Sequence, residues 1–287
     1  MLAGMKEARA GATAYWAGGR GAPVVLIHGV GLDATIWEAQ AAALAERYRV
    51  VAYDMLGHGQ SACPPGARAL GDFVDQLAEL LDALELRRVA LVGFSMGGLV
   101  ARAFAAAYPE RVSHLALLST AYERSPEEQT AILTRLAQAE TEGPTTLVAA
   151  ALDRWFSPGF RTAHPEVVAR IRERLASNDG ESFLAAYRVF AEADSQMAAF
   201  LDSRRLAGEG PDGGGRIACP ALIVTGEEDP GSSPAMARRL ADAIAGARCL
   251  ILPGMRHLAL MEAPEAVTNP LIDFLEQQAR STGKGEP

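Results

Sequence analysis

Leu91-Val92-Gly93-Phe94-Ser95-Met96-Gly97-Gly98 is the stretch that decides how this chain folds. An apolar run at 89–92 predicts a buried strand and residues 99–107 predict a helix, so Ser95 lies at the tip of a tight turn between them. Glycines on both sides leave room for strained backbone at this turn. The helix start also places amide N–H groups and the positive end of the helix dipole beside the serine. The stretch therefore predicts a nucleophilic serine, and the competing interpretation is a glycine-rich loop with an incidental serine.

The chain on either side of this turn alternates strand-like and helix-like segments. The predicted strands are Pro23–Ile27, Arg49–Tyr53, 89–92, Val112–Leu118, 221–225 and Arg248–Leu252. Such alternation is typical of an α/β protein, with a parallel sheet covered by helices on both faces. Residues 126–206 break the alternation, because they contain helical patterns and no convincing strand. We therefore expect that 1–121 and 208–287 form one α/β core, and that 122–207 form a helical insertion that ends in a glycine-rich loop at 208–215.

Composition and charge exclude several classes of function. The 287 residues carry a formal net charge of -8 and are 49% hydrophobic, which suits a globular enzyme and gives no basic surface for nucleic acid. No apolar run approaches the roughly 20 residues that span a bilayer, and residues 1–21 lack the apolar core of a signal peptide, so we expect a cytoplasmic protein. Cys63, Cys219 and Cys249 are widely spaced and fit neither a disulfide framework nor a zinc site.

A serine hydroxyl needs a general base within hydrogen-bond reach and a carboxylate that orients this base. The base is predicted to be His257, because it follows the last strand at the carboxyl edge of the sheet, where ligands bind in open α/β sheets. The other histidines are placed less well: His28 and His58 lie in glycine-containing loops of the same edge, His114 lies within a strand, and His164 lies in the insertion.

The acid is predicted to be Asp229, which follows the strand at 221–225 and therefore lies at the same edge of the sheet. Glu227 and Glu228 are competitors by position. Pro230 favours Asp229, because the residue before a proline is held in an extended conformation. Adjacency alone leaves open which of the three carboxylates points inward.

An oxyanion formed by attack of the serine needs two backbone donors. The first is expected to be the amide of Met96, the residue after the nucleophile. The second is expected from the loop His28-Gly29-Val30-Gly31, where the Val30 N–H is the candidate. The two glycines of this loop let the backbone approach a substrate without side-chain interference. The alternative for this loop is an ordinary turn.

Five motifs stand in order along the chain: His28-Gly29, the loop 54–61 (Asp-Met-Leu-Gly-His-Gly-Gln-Ser), the turn at Ser95, Gly226-Glu227-Glu228-Asp229-Pro230, and His257. With them the chain resembles the α/β-hydrolase superfamily over nearly its whole length. The resemblance implies the α/β-hydrolase fold, a mostly parallel, doubly wound sheet with a helical cap inserted after the sixth strand, and the order serine, acid, histidine. It also implies that the loop 54–61 is structural, so His58 is not expected to be catalytic.

Three shorter segments resemble the 3-oxoadipate enol-lactonases of aromatic catabolism and their relatives, the carbon-carbon hydrolases of ring-cleavage products. They are residues 155–160 (Trp-Phe-Ser-Pro-Gly-Phe), 185–187 (Ala-Ala-Tyr) and 256–258 (Arg-His-Leu). The carbon-carbon hydrolases usually carry Trp directly after the catalytic histidine, where this chain has Leu258. Enol-lactonases often carry Asn-Ser where this chain has His28-Gly29, so a different ester or lactone substrate stays open.

The helical insertion is expected to cover the site, exclude water and shape a pocket for the acyl group. Trp155, Phe156 and Leu258 are the predicted apolar contacts of the substrate. Arginines of this segment are candidates to pair with a substrate carboxylate. These arginines are Arg124, Arg135, Arg154, Arg161 and Arg188. The alternatives are core packing for the aromatic pair and a solvated surface position for any single arginine.

These observations lead to one hypothesis and two alternatives. We expect a serine hydrolase that cleaves an ester or (enol-)lactone of a small, carboxylate-bearing metabolite through an acyl-enzyme. The alternatives are a carbon-carbon hydrolase that uses the same residues and a non-catalytic ligand-binding member of the fold. We expect a small-molecule substrate and no cofactor, metal, nucleic acid or membrane partner, and a homo-oligomer stays open.

Overall fold

Eight strands form one sheet in the computed structural model, which describes residues 2, 4–206 and 216–282. They are β1 (Lys6–Ala10), β2 (Thr13–Gly18), β3 (Pro23–Ile27), β4 (Arg49–Tyr53), β5 (Val89–Phe94), β6 (Val112–Leu118), β7 (Ala221–Gly226) and β8 (Arg248–Leu252). Their order across the sheet is β1-β2-β4-β3-β5-β6-β7-β8. The pairs β1–β2 and β2–β4 are antiparallel, and every pair from β4–β3 to β7–β8 is parallel. The predicted mostly parallel sheet is thereby confirmed.

Helices follow most of the strands. They are α1 (Glu38–Ala45), α2 (Leu70–Ala83), α3 (Met96–Ala107), α4 (Pro126–Glu142), α5 (Val148–Trp155), α6 (Pro158–Ala163), α7 (Pro165–Ala176), α8 (Gly180–Ala191), α9 (Ala193–Leu206), α10 (Pro234–Ala243), α11 (Ala259–Glu262) and α12 (Pro264–Thr282). Helices α4 to α9 stand between the sixth and seventh strands, and we call residues 122–206, which contain them, the helical insertion. The glycine-rich loop predicted at 208–215 lies outside the described residues.

The central strands are buried on both faces because helices cover both sides of the sheet. In β3, Val25 and Ile27 pack on the side of α2 and α3, whereas Val24 and Leu26 pack on the side of α1 and α12. Every residue of α3 is buried. The start of α3 is therefore held rigidly against the sheet, at the point where β5 ends.

The carboxyl ends of β3, β5, β6, β7 and β8 lie along one edge, because these strands run parallel in the sheet. Backbone bonds continue the ladder past the strand ends, since Ser95 N donates to Leu118 O at 2.8 Å and Ser119 N donates to Val224 O at 2.7 Å. Side chains that follow each strand are therefore brought close together. No helix among the described residues combines the length and apolar character that crossing a bilayer requires.

Candidate active site

Ser95 occupies a strained position between β5 and α3. Its backbone angles are φ 54° and ψ −117°, which are those of the first central residue of a type II′ turn and are normally adopted by glycine. The neighbouring positions 93 and 97 leave no room for a side chain. A Cβ at Gly93 would overlap the backbone of Gly97, and one at Gly97 would overlap the carbonyl oxygens that end β3. The turn is tighter than the sequence predicted, because β5 runs two residues further and α3 begins directly after the serine.

Ser95, His257 and Asp229 form a chain of hydrogen bonds. His257 Nε2 lies 3.2 Å from Ser95 Oγ, and His257 Nδ1 lies 2.7 Å from Asp229 Oδ2. The three residues are between 2% and 6% exposed, so little water competes for these bonds. The structure thus brings together the three side chains that the sequence predicted as nucleophile, base and acid.

Asp229 is held by the loop that follows β7. Its Oδ1 accepts hydrogen bonds from the amides of Gly231 at 2.8 Å and Ser232 at 3.0 Å. Its two neighbours point elsewhere, because Glu227 accepts a bond from Gly254 N at 2.9 Å and Glu228 forms an ion pair with Arg256. Of the three carboxylates that the sequence left open, Asp229 is the one that contacts His257.

Two aromatic rings flank His257. The Phe94 ring centroid lies 4.9 Å from the imidazole centroid, and that of Trp155 lies 5.9 Å away at an interplanar angle of 30°. The backbone also links the helical insertion to this loop, since Leu258 N donates to Trp155 O at 3.0 Å. Trp155, the last residue of α5, is therefore a residue of the insertion that contacts His257.

His28 orients the peptide that carries the predicted oxyanion donor Val30. Its Nδ1 lies 2.7 Å from Gly29 O, and its Nε2 lies 2.9 Å from Met55 N. A carbonyl oxygen only accepts and an amide only donates, so the ring carries its proton on Nδ1. Burial lowers the pKa of His28 to about 3, which keeps the ring neutral. In a trans peptide the N–H points away from the C=O, so this bond fixes the direction of the Val30 N–H.

The helical insertion holds the other side of the same loop. Asn178 Nδ2 donates to Gly31 O at 2.8 Å, and Arg174 at the end of α7 forms an ion pair with Asp33 at 3.6 Å. Gly31 has φ +76°, and a Cβ at this position would press on the side chains of Leu175 and Phe183. The loop after β3 is therefore packed directly beneath the insertion.

A cavity of about 320 Å³ opens between the insertion and the carboxyl edge of the sheet. Ser95, His257, Asp229 and Val30 lie at its base, and Met96 begins the helix beside them. Its walls are mainly apolar, which is typical of small-molecule sites. The lining residues from the insertion include Leu147, Val148, Ala151, Trp155, Leu175, Phe183, Tyr187 and Phe190, together with Arg124, Arg135 and Arg154.

Four candidate substrate contacts lie outside this lining, and one of them is Arg161, which pairs with Asp153. Phe156 is fully buried and stacks on Phe160, so it packs within the insertion. Arg188 points outward on α8 and pairs with Glu140. Leu258 is fully buried in the core behind the histidine. The cavity wall instead uses Phe183, Tyr187 and Phe190, of which the first two lie four residues apart on one face of α8.

The remaining buried titratable groups near the site support its loops. Asp54 accepts bonds from Ala34 N at 2.8 Å and Gln60 N at 2.7 Å, and burial raises its pKa to about 6. Burial lowers the pKa of His58 to about 3, and its Nδ1 bonds to Leu56 O. Within the part of the chain that the structure describes, no group of three or more His, Cys, Asp or Glu side chains is arranged to hold a metal ion.

Comparison with known proteins agrees with this geometry. A sequence model of the family described as alpha/beta hydrolase fold matches residues 22–264. The chain belongs to the α/β-hydrolase family. This α/β-hydrolase is 32% identical over 262 residues to an (E)-2-((N-methylformamido)methylene)succinate hydrolase of Acinetobacter baylyi, a match that covers 91% of this chain and 93% of the relative.

Two solved structures are similar to this α/β-hydrolase over nearly their whole length. The enol-lactonase from Burkholderia xenovorans LB400 has a TM-score of 0.79 and 31% identity, and the match covers 94% of this chain and all of that one. A thermophilic esterase from Thermogutta terrifontis, solved with malate bound, has a TM-score of 0.78 and 32% identity over 92% of this chain and 93% of its own. The resemblance to enol-lactonases that the sequence indicated is confirmed.

Proposed function

We propose that this α/β-hydrolase is a serine hydrolase that cleaves a carboxylic ester or lactone through an acyl-enzyme. The observation that carries the proposal is the hydrogen-bonded chain from Asp229 through His257 to Ser95, which opens into a cavity of about 320 Å³. Nucleophile, base and orienting acid in this arrangement are the elements that acyl transfer to water requires.

The reaction follows from the roles of these groups. His257 takes the Ser95 proton at Nε2 as Oγ attacks the carbonyl carbon, and Asp229 stabilises the imidazolium through Nδ1–H. The Met96 and Val30 amides stabilise the negative charge that develops on the carbonyl oxygen. His257 then passes the proton to the leaving oxygen, and an acyl-enzyme remains. A water molecule deprotonated by His257 hydrolyses this ester and restores the free serine.

The substrate is proposed to be a small molecule that carries a carboxylate. One relative is named as a hydrolase of a substituted succinate, another as an enol-lactonase, and the esterase from Thermogutta terrifontis holds malate. The helical insertion is proposed to act as a cap, because its apolar side chains face Ser95 across the cavity and would keep bulk water away from the acyl group.

The test is turnover of p-nitrophenyl butyrate by variants at the proposed nucleophile and base. Ser95→Ala and His257→Gln are each expected to lower kcat by about 10⁴-fold or more, because the residues of such a triad act as a unit. His164→Gln is the matched control, since His164 lies on the exposed side of the insertion. It is expected to keep wild-type activity.

Three outcomes would contradict the proposal. Wild-type turnover by Ser95→Ala would show that this serine is not the nucleophile. Turnover of a coloured ring-cleavage product without any ester turnover would assign the same site to carbon-carbon hydrolysis. A fluorophosphonate probe is expected to label Ser95, and failure to label any residue of the folded protein would favour a ligand-binding role.

A further inference from the structure

Three arginine side chains of the helical insertion line the cavity that holds Ser95. Arg124 precedes α4, Arg135 lies in the middle of α4, and Arg154 lies in the last turn of α5. The charges are close enough to influence one another. Burial is the main cause that lowers the pKa of both Arg124 and Arg154, and the charge of Arg135 lowers each of them further. The cavity therefore concentrates positive charge at one side.

Acidic groups offset this charge only through space: Asp194 and Glu128 raise the pKa of Arg124, and Asp153 raises that of Arg154, without an ion pair to any of the three arginines among the described residues. Across the described residues, neither Arg135 nor Arg154 makes a hydrogen bond or an ion pair. Arg124 donates from Nη1 to Ala191 O at 3.2 Å and lies over the Phe190 ring, whereas its Nη2 is buried and has no partner in the part of the chain that the structure describes. Buried N–H groups that lack an acceptor are costly, so a ligand that supplies one is favoured.

The acidic residues at the cavity have other partners. Glu128 accepts bonds from Ser125 N and Ser233 Oγ, and it also pairs with Arg239. Glu127 accepts a bond from Ser125 Oγ on the exposed side of α4. Asp229 is bonded to His257. None of these carboxylates is within ion-pair distance of the three arginines among the described residues.

Three arginines on the outer surface of the insertion differ from those at the cavity, because each has an acidic partner. Arg161 pairs with Asp153, and Arg188 pairs with Glu140. Arg170 lies near Glu38 of α1 at 3.9 Å. Each of these three arginines has an acidic neighbour. Arg172 of α7 has no ion pair among the described residues, but it is exposed to water, whereas Arg124, Arg135 and Arg154 are partly buried at the cavity.

We propose that Arg124, Arg135 and Arg154 form an anion subsite that binds a carboxylate on the acyl part of the substrate. The inference rests on the proposed function, because it places the reacting carbonyl at Ser95 and the carboxylate on the opposite wall of the same cavity. A cavity of about 320 Å³ limits the acyl part to a short chain. The substrate class is thus the ester or lactone of a short dicarboxylic acid.

Two esters of equal chain length test this subsite. The mono-p-nitrophenyl ester of glutaric acid ends in a carboxylate, and p-nitrophenyl pentanoate ends in a methyl group. The wild type is expected to hydrolyse the charged ester with the higher kcat/KM. Arg135→Gln is expected to raise KM for the charged ester by about 10- to 100-fold, as for loss of a charge-assisted hydrogen bond, and to leave the pentanoate ester unaffected. Arg170→Gln, the matched control, is expected to change neither.

A binding measurement separates failure of the subsite from failure of the proposed function. Glutarate is expected to raise the Tm of the wild type and of Ser95→Ala more than pentanoate does, and Arg135→Gln is expected to abolish this difference. Equal kcat/KM for the two esters, or equal loss of both in a folded Arg135→Gln protein, would overturn the subsite. If neither ester is hydrolysed but glutarate still stabilises the protein through Arg135, the subsite stands and the ester hydrolase proposal fails.

Discussion

Replacement of Asp229 by Asn is expected to reverse the tautomer of His257 while the fold stays intact. Asp229 Oδ1 accepts hydrogen bonds from two amides, those of Gly231 and Ser232, and Oδ2 lies 2.7 Å from His257 Nδ1. An asparagine keeps both amide bonds only with its carbonyl oxygen at the Oδ1 position, because its NH₂ group there would face two other donors. The NH₂ group then faces Nδ1, and the imidazole must carry its proton on Nε2.

An imidazole with its proton on Nε2 cannot accept the proton of Ser95. We expect kcat of Asp229→Asn to fall by about 10⁴-fold, which corresponds to about 5.4 kcal/mol of activation free energy. The free energy of unfolding is expected to change little, because the two amide bonds that anchor the side chain are kept. We therefore expect the Tm of Asp229→Asn to differ from that of the wild type by less than about 2 °C. For a chain of this length, a shift of about 2 °C corresponds to about 1 kcal/mol.

The assay is turnover of p-nitrophenyl butyrate at saturation, with Glu227→Gln and Glu228→Gln as matched controls from the same loop. Their carboxylates contact Gly254 N and Arg256, so each control is expected to keep kcat within about twofold of wild type, as is usual for surface positions. The reasoning is refuted if folded Asp229→Asn keeps more than about a tenth of the wild-type kcat, or if either control loses as much as Asp229→Asn does.

Two predictions concern stability. Burial lowers the pKa of His28 and His58 to about 3, so the unfolded chain binds protons at higher pH than the folded protein does, and stability is lost as the pH falls below the ordinary histidine pKa. Asp54, whose pKa is raised to about 6, offsets part of this loss. Urea titrations are expected to show roughly 2–3 kcal/mol less stability at pH 5 than at pH 7, and a flat profile would contradict the assignment. Gly97→Ala is expected to lower the free energy of unfolding by about 1–3 kcal/mol, because the new Cβ meets backbone carbonyls. Gly159→Ala is the control, because Gly159 in α6 has open space around it, and this variant is expected to be neutral or stabilising. Equal Tm values for the two variants would refute this prediction.

The parallel part of the sheet was predictable because its strands carry strong local signals. β3, β5 and β7 are short apolar runs that end in glycine-containing turns, and such runs are typical of strands buried on both faces. β1 and β2 were not predicted. β1 has the sequence Lys-Glu-Ala-Arg-Ala and is largely exposed, so it lacks the apolar alternation that marks a half-buried strand. It pairs with β2 as the outermost strand of the sheet, through a tight turn in which Gly11 has a positive φ.

The positions of Ser95, Asp229 and His257 were predictable for a topological reason. Each residue follows a parallel strand, and parallel strands bring their carboxyl ends to one edge whatever the details of side-chain packing. Pro230 favoured Asp229 over Glu227 and Glu228, but adjacency alone left the choice among them open, because it depends on which carboxylate the loop after β7 turns inward.

The lining of the cavity could not be predicted, because it depends on how each helix of the insertion is rotated about its axis. Trp155 and Phe156 are adjacent in sequence, yet one ring faces His257 and the other is buried against Phe160. Arg154 lines the cavity, whereas Arg188 is turned outward on α8 and pairs with an acidic neighbour. The sequence does not show how each helix is rotated, so it could not distinguish the arginines that line the cavity from those that face solvent.

The loop that carries Val30 is held from both sides, and this links the helical insertion to the chemistry. His28 fixes the Gly29 carbonyl from the core side, and Asn178 donates to the Gly31 carbonyl from the end of α7. The Gly29 carbonyl belongs to the same peptide as the Val30 N–H that is proposed to bind the oxyanion, and the Gly31 carbonyl lies two peptides further along the loop. A shift of α7 would move Asn178, which follows this helix, and with it one of the two anchors of the loop that carries this donor. In the proposed mechanism, the helical insertion would therefore support the oxyanion donor as well as cover the cavity, through its contact with the loop after β3.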